Sequence, residues 1–421
     1  MKIIWLTNIL FPEVNDLLNQ ERTVLGGWMY SSALELIKDK GINLTIVSLY
    51  SGKNIKILDS NELNYILFPR KFLSPGSIKK AKDIWTFIYN KVHPDIIHMH
   101  GTEYASFGLS YLDTCGDKGV VVSIQGLVGL CSRYYFSGIR ICELNHFFSF
   151  REFLFHDSIE RQADSLRKRG ENEFMLIKSV KNIIGRTNWD ETHVKTINPD
   201  IKYFFCNETL RKEFFGFKWS YEKCEKYSIF LSQASSPIKG LHIAIKALYI
   251  VKTKYPQSKL YIAGYDFIHT NGLIDKLKQF KYSKYILHLI EIYKLEDNVI
   301  FTGPLQPEKM CERYLKSNVF VCPSSIENSP NSLGEAQILG VPVISSYVGG
   351  TMDMIENNVT GYLYRFEEFE MLAAIICSIF EERENISLDL NKEKLIAMER
   401  HDPQKNAEKL RDIYKSIFQK N

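Results

Sequence analysis

Short apolar and β-branched runs alternate with amphipathic helical stretches along the whole chain, which predicts parallel β-sheets joined by crossover helices. Several runs, such as VVVSI and NIIG, are nearly continuous in apolar residues, as expected for strands covered on both faces. In the first half the predicted strands are Lys2–Thr7, Asn43–Tyr50, Asp95–Gly101, Val120–Gly126, Asn182–Thr187 and Ile201–Cys206; in the second half they are Tyr227–Gln233, Lys259–Tyr265, Asn298–Gly303, Val319–Ser324 and Pro342–Ser346.

The intervals between these strands carry helical periodicity. In the stretch Gly240–Lys252, the residues Leu241, Ala244 and Leu248 fall on one helical face. The residues from Pro403 to Asn421 predict a last amphipathic helix. Strand and helix patterns together predict an α/β chain built from two Rossmann-like halves, and two such halves facing each other would leave a cleft at the C-terminal strand ends, where ligands bind.

The length of 421 residues exceeds what one compact core supports and suits two domains of roughly 200 residues each. The charge-rich stretch from Arg211 to Lys226 separates the two sets of strands, and its aromatic residues predict that it packs against a domain. We therefore predict an N-terminal domain over residues 1–211, a linker over 212–226, a C-terminal domain over 227–402 and a C-terminal helix over 403–421.

Composition narrows the class of protein further. Apolar residues make up 45% and charged residues 24% of the chain, which excludes wholesale disorder. The 53 basic and 49 acidic residues give a net charge of +4, which gives no support for a nucleic-acid partner, because such a partner requires a strongly basic face.

The pattern also predicts a cytoplasmic protein. The first apolar run is interrupted at Asn8 and stopped at Pro12, so it predicts a strand and not a secretory signal. Nowhere do about 18 apolar residues run together, as a membrane-spanning helix requires. The eight cysteines are scattered without a C-x-x-C pair, which suits a reducing compartment better than a disulfide framework or a zinc site.

The most informative stretch runs from Ser324 to Ser346. A predicted strand is followed by Glu327, a polar turn, a helix over Asn331–Leu339 that contains Glu335, and a further strand. A helix N-terminus can donate to phosphate, and nearby carboxylates can accept from sugar hydroxyls. Taken locally, both acids are equally explained as ordinary first-turn residues favoured by the helix dipole.

The seven residues between Glu327 and Glu335 resemble the E-x7-E signature of family 4 glycosyltransferases, the glycosyl transferases group 1, and the stretch PSSIENSPNSLGEAQILGVPVISSYVGGTMDMIENNVTGYLY is similar to their nucleotide-sugar region. The resemblance includes bacterial surface-polysaccharide members and implies the GT-B fold, with the C-terminal helix packing back on the N-terminal domain. It implies that Glu335 holds the ribose hydroxyls and Glu327 contacts the donor hexose. It also places the diphosphate on backbone amides around Asn331, Ser332 and Leu333.

Lys239 and Gly240 begin a helix after the strand Tyr227–Gln233. A cation at a helix N-terminus is locally unfavourable, so an anionic ligand would explain Lys239, although a lone lysine is more commonly a solvated one. The resemblance implies that Lys239 contacts the diphosphate. It also leads one to expect an arginine near the end of this strand, where this chain has Gln233, so one charge is missing.

Further candidates lie in the first half of the chain. Gly26 and Gly27 occupy the position of the family's glycine-rich loop, and Gln125 stands where the family commonly has a histidine that touches the donor sugar. His98 is expected in the core. We predict that the acceptor side is formed by His100, Glu103 and Arg186, although an ion pair of Arg186 with Asp190 or Glu208 is an equally good reading.

The segment from His146 to Phe155 is rich in aromatic residues and is followed by Arg161, Arg167, Lys168 and Arg169. Aromatic residues beside cations can lie in a membrane interface, which would place the protein at the inner face of the membrane. The alternative that we favour from the sequence is a buried helix of the N-terminal domain.

These features predict a retaining hexosyltransferase. Its substrates would be a nucleotide diphosphate sugar and a sugar hydroxyl of a lipid-linked oligosaccharide or surface polysaccharide, and the retaining outcome comes from the resemblance alone. No D-x-D-like motif falls at a suitable loop, so no metal and no cofactor are expected. Two alternatives stay open: a subunit that binds a nucleotide sugar without transferring it, and a sugar-nucleotide epimerase.

Overall fold

The computed structural model describes residues 1–20, 26–60, 62–270, 272, 277–383 and 385–419. The chain divides into two compact units. The first unit comprises Met1–Gly129, Lys168–Lys212 and Arg400–Asn421, and the second comprises Leu130–Arg167 and Glu213–Glu399. Residues 130–167 therefore cluster with the second unit, whereas the division drawn from the sequence counts them with residues 1–211.

The first unit is built on a parallel sheet with one antiparallel edge strand. Among the described residues, its eight strands run in the order β3-β4-β2-β1-β5-β6-β7-β8, and β3 is antiparallel to β4. The strands are β1 (Lys2–Thr7), β2 (Asn43–Tyr50), β3 (Lys56–Asp59), β4 (Asn64–Pro69), β5 (Ile96–His100), β6 (Val120–Ser123), β7 (Asn182–Gly185) and β8 (Lys202–Phe205).

Helices of the first unit cover this sheet. They are Pro12–Leu17, Gly27–Leu36, Ile78–Val92, Ala105–Cys115, Asn188–Ile197 and Pro403–Phe418, while Val128–Cys131 and Ile159–Ser179 contain the points at which the chain passes from one unit to the other. The helix Pro403–Phe418 packs on the first unit, and its Leu410, Ile413, Tyr414 and Ile417 join the core around β1 and β2. The predicted packing of the C-terminal helix is thus confirmed.

A buried chain of hydrogen bonds ties this helix to the sheet. The Trp5 indole donates to the Tyr414 hydroxyl at 2.9 Å, and that hydroxyl lies 2.6 Å from Nδ1 of His98. Because an indole N–H can only donate, the hydroxyl proton goes to His98, whose Nε2 then faces Ser123 Oγ. Burial lowers the pKa of His98 well below its ordinary value, which keeps the imidazole neutral in this chain. His98 is a core residue, as expected.

The second unit contains an all-parallel sheet. Within the described part of the chain it has six strands in the order β11-β10-β9-β12-β13-β14. They are β9 (Ser228–Leu231), β10 (Lys259–Ala263), β11 (Val299–Gly303), β12 (Val319–Cys322), β13 (Val343–Ser346) and β14 (Tyr362–Tyr364); the helices are Ile141–Asn145, Phe150–Phe155, Leu241–Lys254, Lys281–Ile292, Pro307–Lys316, Asn331–Leu339, Phe369–Glu382 and Leu390–Arg400.

The predicted strands are confirmed, with ends that differ by up to three residues. The sequence reading missed β3, β4 and β14. The edge strand β3 is largely exposed and polar, and β14 has three residues, so neither carries a sustained apolar run.

The predicted linker packs on the second unit. Phe214 is fully buried, and the buried Trp219 donates its indole N–H to the Ser317 carbonyl at 2.7 Å. The backbone N–H of Trp219 donates to Leu339 at 2.9 Å. The aromatic residues of this stretch therefore anchor it, as the sequence predicted.

The favoured reading of the aromatic segment as a buried helix of the N-terminal domain is wrong. In the helix Phe150–Phe155 the buried residue is Glu152, while Phe153, Leu154 and Phe155 are exposed. This orientation follows from a hydrogen bond: the Glu152 carboxylate accepts from the backbone N–H of Lys281 at 2.6 Å. The helix therefore buries its charged face and exposes its apolar one. Within the described residues, no helix is both long enough and apolar enough to cross a bilayer.

Glu393 is an unusual core residue of the second unit. It lies on the helix Leu390–Arg400 with 1% of its surface exposed. Burial raises the pKa of this carboxyl well above its ordinary value, although the neighbouring Gln337 acts in the opposite direction. Since the folded state holds this proton more tightly than the unfolded state, Glu393 withdraws stability as the pH rises above about 4.5.

We expect Glu393→Gln to raise the free energy of unfolding at pH 8 by about 1 kcal/mol or more, because the wild-type carboxylate must take up a proton when it is buried, whereas the amide is neutral at every pH and fills the same space. Urea denaturation of wild type and variant at pH 8 and at pH 4.5 measures this effect, and the difference should shrink at the lower pH. The exposed Glu367→Gln serves as the control. An equal difference at both pH values would contradict the assignment of a raised pKa.

Candidate functional site

The strand order of the second sheet contains a topological switch point. From β9 the chain proceeds to β10 and β11 on one side and then crosses to β12 on the other, so loops leaving β9 and β12 diverge. In open α/β sheets this divergence creates a crevice at the carboxyl ends of the strands, where ligands bind. The loop after β9 carries Lys239, and the loop after β12 carries Glu327.

Lys239 and Glu327 form an ion pair, with 2.6 Å between Nζ and Oε1. The same carboxylate oxygen accepts from the Ser324 hydroxyl at 2.7 Å. Burial opposes the charged form of Lys239, but the Glu327 carboxylate outweighs it, and the net effect raises the pKa of Lys239. An ammonium group is therefore held in place at the switch point at neutral pH.

Two glycines let the backbone close tightly around this pair. Gly240, with φ of +70°, starts the helix Leu241–Lys254, and a Cβ there would overlap the Pro323 carbonyl. Gly349, with φ of +52°, lies against the Glu327 carbonyl, which accepts from the backbone N–H of Gly350 at 3.0 Å. Both positions need glycine because the backbone is left-handed and the approach is close.

Glu335 lies on the helix Asn331–Leu339 and is 5% exposed. The hydroxyl of the buried Tyr314 lies 3.3 Å from Glu335 Oε2 and 3.0 Å from the Ser332 carbonyl. The Tyr314 ring packs against Phe230 and Phe320, so the hydroxyl has a fixed position. Sequence reasoning missed both Tyr314 and Ser324 as residues that hold the two glutamates.

The start of the helix Asn331–Leu339 follows Pro330, whose side chain provides no cap. Asn331 and Ser332 are half-buried, and the backbone N–H of Leu333 donates to the Pro330 carbonyl at 3.0 Å. Gln233 is exposed on the loop after β9. The predicted donor residues of the second unit thus lie on the two loops and the helix that border the β9–β12 switch point, whereas Gly26, Gly27 and Gln125 lie in the first unit.

The first unit has its own switch point between β1 and β5. The ends of β5, β6, β7 and β8 carry polar side chains that line one cavity, among them His100, Gln125, Arg186 and Glu208. His100 is buried between Trp5 and His98, at ring-centroid distances of 4.2 Å and 3.8 Å. Neither of its ring nitrogens has a hydrogen-bond partner among the described residues, and burial lowers its pKa to about 3.

Arg186 joins three of these strand ends. Its Nη1 lies 2.6 Å from the Glu208 carboxylate, and its Nη2 donates to the carbonyls of Ile124 and Gln125 at 3.2 Å and 3.0 Å. The guanidinium is buried. Of the two readings left open by the sequence, the structure bears out the ion pair with Glu208, whereas Asp190 accepts from the backbone N–H of Arg186.

Glu103 and Glu173 lie beside these groups in the first unit. Burial raises the pKa of Glu103 to about 7, with a smaller contribution from Glu173. The Glu173 carboxylate accepts from the backbone N–H groups of Val128 and Gly129 at 3.1 Å and 2.9 Å, and from the Thr102 hydroxyl. Sequence reasoning missed Glu173, whose position inside a long charged helix gave no signal.

Gly26 and Gly27 are placed by packing within the first unit. Gly26, with φ of +80°, precedes the helix Gly27–Leu36, and a Cβ there would lie 2.9 Å from Ile9. A Cβ on Gly27 would lie 3.2 Å from Arg211. The left-handed backbone and the close approach of Ile9 therefore explain Gly26, whereas Gly27 faces only the flexible Arg211 side chain. The role of both glycines toward a donor stays a prediction.

The comparison with known families fits the C-terminal motif. Residues 212–393 match the family described as glycosyl transferases group 1, which confirms the resemblance. The chain is 33% identical over 145 residues to the amylovoran biosynthesis glycosyltransferase AmsK from Erwinia amylovora, covering 33% of this chain and 32% of AmsK. It is 29% identical over 135 residues to the capsular polysaccharide biosynthesis glycosyltransferase CapM from Staphylococcus aureus, covering 32% of each.

These alignments span about a third of each relative's own length. Among solved structures, HepE from Anabaena in complex with UDP-glucose superimposes with a TM-score of 0.68 and 16% sequence identity, covering 99% of this chain and 100% of that one. The two parallel-sheet α/β domains are those of the GT-B glycosyltransferase fold.

We expect Arg186→Met to lower the free energy of unfolding by about 3 kcal/mol or more, because the Glu208 carboxylate would stay buried without its cation. Urea denaturation at pH 7 measures the loss. Lys195→Met, which breaks the exposed ion pair with Glu191, is the matched control and should cost less than about 1 kcal/mol. A loss for Arg186→Met no larger than that of the control would show that the buried pair does not stabilise the unit.

Proposed function

We propose that this protein is a retaining glycosyltransferase that moves a hexose from a nucleotide diphosphate sugar to a sugar hydroxyl. The observation that carries the proposal is the Lys239–Glu327 ion pair at the β9–β12 switch point, with Glu335 held by Tyr314 on the adjoining helix. One cation and two carboxylates at this place suit a ligand that has a diphosphate at its centre and hydroxyls at both ends.

Each group has a role that follows from its chemistry. Glu335 accepts from the ribose hydroxyls, and Glu327 accepts from a hydroxyl of the hexose. Before the donor binds, Glu327 holds the Lys239 ammonium in position. When the donor binds, the ammonium also pairs with the negative diphosphate. As the bond between the anomeric carbon and the phosphate oxygen breaks, Lys239 and the N-terminus of the helix Asn331–Leu339 stabilise the negative charge on the leaving diphosphate.

The acceptor hydroxyl attacks the anomeric carbon from the face that the diphosphate leaves. Its proton passes to a phosphate oxygen, so the products are the new glycoside and the protonated nucleoside diphosphate. This front-face mechanism accounts for retention without a protein nucleophile, and the proposed reaction needs no metal ion. The polar cavity of the first unit that His100 lines, together with the neighbouring Glu103, is the proposed acceptor side.

The relatives support the choice of substrates. The name of CapM assigns it to capsular polysaccharide biosynthesis and that of AmsK to amylovoran biosynthesis, and HepE is in complex with UDP-glucose in its solved structure. We extend this to an acceptor that is a lipid-linked oligosaccharide or a growing surface polysaccharide, and to action in the cytoplasm.

A second candidate is a subunit that binds a nucleotide sugar without transferring it. The neutral and exposed Gln233 favours it, because an arginine expected near this position would add a cation for the diphosphate. The two candidates differ in turnover and agree in binding. An epimerase would convert the donor itself without an acceptor.

The proposal is tested by nucleotide release from a panel of UDP- and GDP-sugars in the presence of EDTA, comparing wild type with Glu335→Gln. We expect one donor to turn over without metal, and Glu335→Gln to lower that rate at least about tenfold through loss of ribose binding. Glu308→Gln, on the exposed start of the helix Pro307–Lys316, is the control.

The outcomes separate the candidates. A donor that raises the melting temperature without turnover, even with oligosaccharide acceptors supplied, would favour the binding subunit. Conversion of the donor sugar into its epimer would favour the epimerase. Turnover that EDTA abolishes and Mg²⁺ restores would contradict metal independence.

We also expect Lys239→Gln to lower kcat about a hundredfold, because the leaving diphosphate loses its cation. The fold should tolerate this change, since the ammonium is partly exposed and Ser324 still donates to Glu327. Lys252→Gln, near the C-terminal end of the helix Leu241–Lys254 that follows Lys239, is the control. Steady-state kinetics and melting temperatures measure both, and an unchanged kcat in a folded Lys239→Gln variant would remove Lys239 from the mechanism.

A further inference from the structure

The segment 130–167 carries an apolar tip that the proposed reaction does not use. We define the aromatic tip as Phe148, Phe150, Phe153, Leu154 and Phe155. Their exposed fractions are 66%, 42%, 68%, 54% and 66%. Five large apolar side chains in eight residues leave a contiguous exposed apolar surface, and such surfaces mark interaction sites on folded proteins.

The base of the tip is firmly attached to the second unit. The Ser149 hydroxyl donates to the Gln279 carbonyl at 2.6 Å and caps the helix Phe150–Phe155 through Glu152. The Lys284 ammonium donates to the Phe148 carbonyl at 2.7 Å, and Arg151 lies over the ring of Phe280, 4.4 Å from its centroid. The tip is therefore presented outward by polar contacts below it.

The shape of the tip narrows the choice of partner. Phe153, Leu154 and Phe155 are consecutive in a helix, so successive side chains point about 100° apart and together span about 200° of the helix circumference. All three are more than half exposed. A flat protein face covers one side of a helix, whereas a deformable medium can surround such a projection.

The charges around the tip point the same way. Asp157 is paired with Arg151 at 2.8 Å, Glu160 faces Lys281 at 3.7 Å, and the buried Glu152 accepts from a backbone N–H. The acids beside the tip are thus engaged, whereas Arg161, which donates to the His156 carbonyl at 3.1 Å, is exposed and forms no ion pair among the described residues. Lys284, which donates to the Phe148 carbonyl, forms no ion pair within that part of the chain either. The outward charge is positive.

We propose that the aromatic tip inserts into the interfacial layer of an anionic phospholipid membrane. Phenylalanine and leucine side chains enter the boundary between headgroups and acyl chains, while Arg161 and Lys284 stay at the level of the anionic headgroups. The attachment is peripheral and reversible, because it consists of the insertion of one short helix. This inference concerns binding alone and does not depend on the proposed reaction.

The test is co-sedimentation of the full chain with vesicles of phosphatidylcholine alone and of phosphatidylcholine with 30% phosphatidylglycerol. We expect wild type to bind the anionic vesicles, and Phe153→Ser with Phe155→Ser to lower the partition coefficient about tenfold or more. The matched control is Tyr265→Ser with Leu395→Ser, which removes two equally exposed apolar side chains elsewhere in the second unit. Its partition coefficient should equal that of wild type.

Two further measurements keep the outcome decisive. Arg161→Gln should weaken the preference for anionic vesicles and the dependence on salt, while leaving the apolar contribution in place. Light scattering after size exclusion reports the oligomeric state. The proposal is overturned if wild type binds neither vesicle, if the tip variant binds as well as wild type, or if the tip variant instead converts a dimer into a monomer, which would identify a second copy of the chain as the partner.

Discussion

The hydrogen-bonded pairing of β9 with β12 is the constraint on which the chemistry of the second unit depends. These strands are distant in sequence, but they are neighbours in the sheet. The loops that follow them therefore start side by side, and Lys239 on one loop lies 2.6 Å from Glu327 on the other. Because the pairing is parallel, both loops leave at carboxyl ends, where strand and helix geometry offers donors to an anion. The glycines at 240 and 349 then allow the two loops to close without a side chain between them.

In the first unit a buried cation, Arg186, stabilises the ends of the strands. Four parallel strands end side by side, and their last carbonyls need donors that the sheet does not provide. Arg186 supplies two of these donors and takes its countercharge from Glu208 on the loop after β8. Glu173 has the opposite role, because its carboxylate accepts hydrogen bonds from the backbone N–H groups of Val128 and Gly129. His100 lines the same cavity as Arg186, and neither of its ring nitrogens has a hydrogen-bond partner among the described residues.

A feature of this protein can be predicted from the sequence when neighbouring residues determine it, and cannot when residues far away in the chain determine it. The helix Asn331–Leu339 was predicted to the residue, because Pro330 before it and the left-handed Gly340 after it are local signals. The partner of Arg186 was left open, because the choice between Asp190 and Glu208 depends on how β7 and β8 pair. The exposure of the aromatic tip was misjudged, because Glu152 turns inward only to meet the Lys281 amide, 129 residues further along the chain. Composition identifies such a segment as apolar, but it does not show which distant residue its polar side chains will contact.

The bond between Trp5 and Tyr414 has a consequence for the order in which the protein can be made. The two side chains are separated by 409 residues, and both are fully buried. During synthesis β1 leaves the ribosome long before the helix Pro403–Phe418, and the Trp5 indole finds its hydrogen-bond partner only after that helix has emerged. At translation speeds of about 5–20 residues per second, that interval is on the order of tens of seconds, during which the second unit can already fold. The first unit therefore starts to emerge before the second unit, and its core is completed after the second unit has been synthesised.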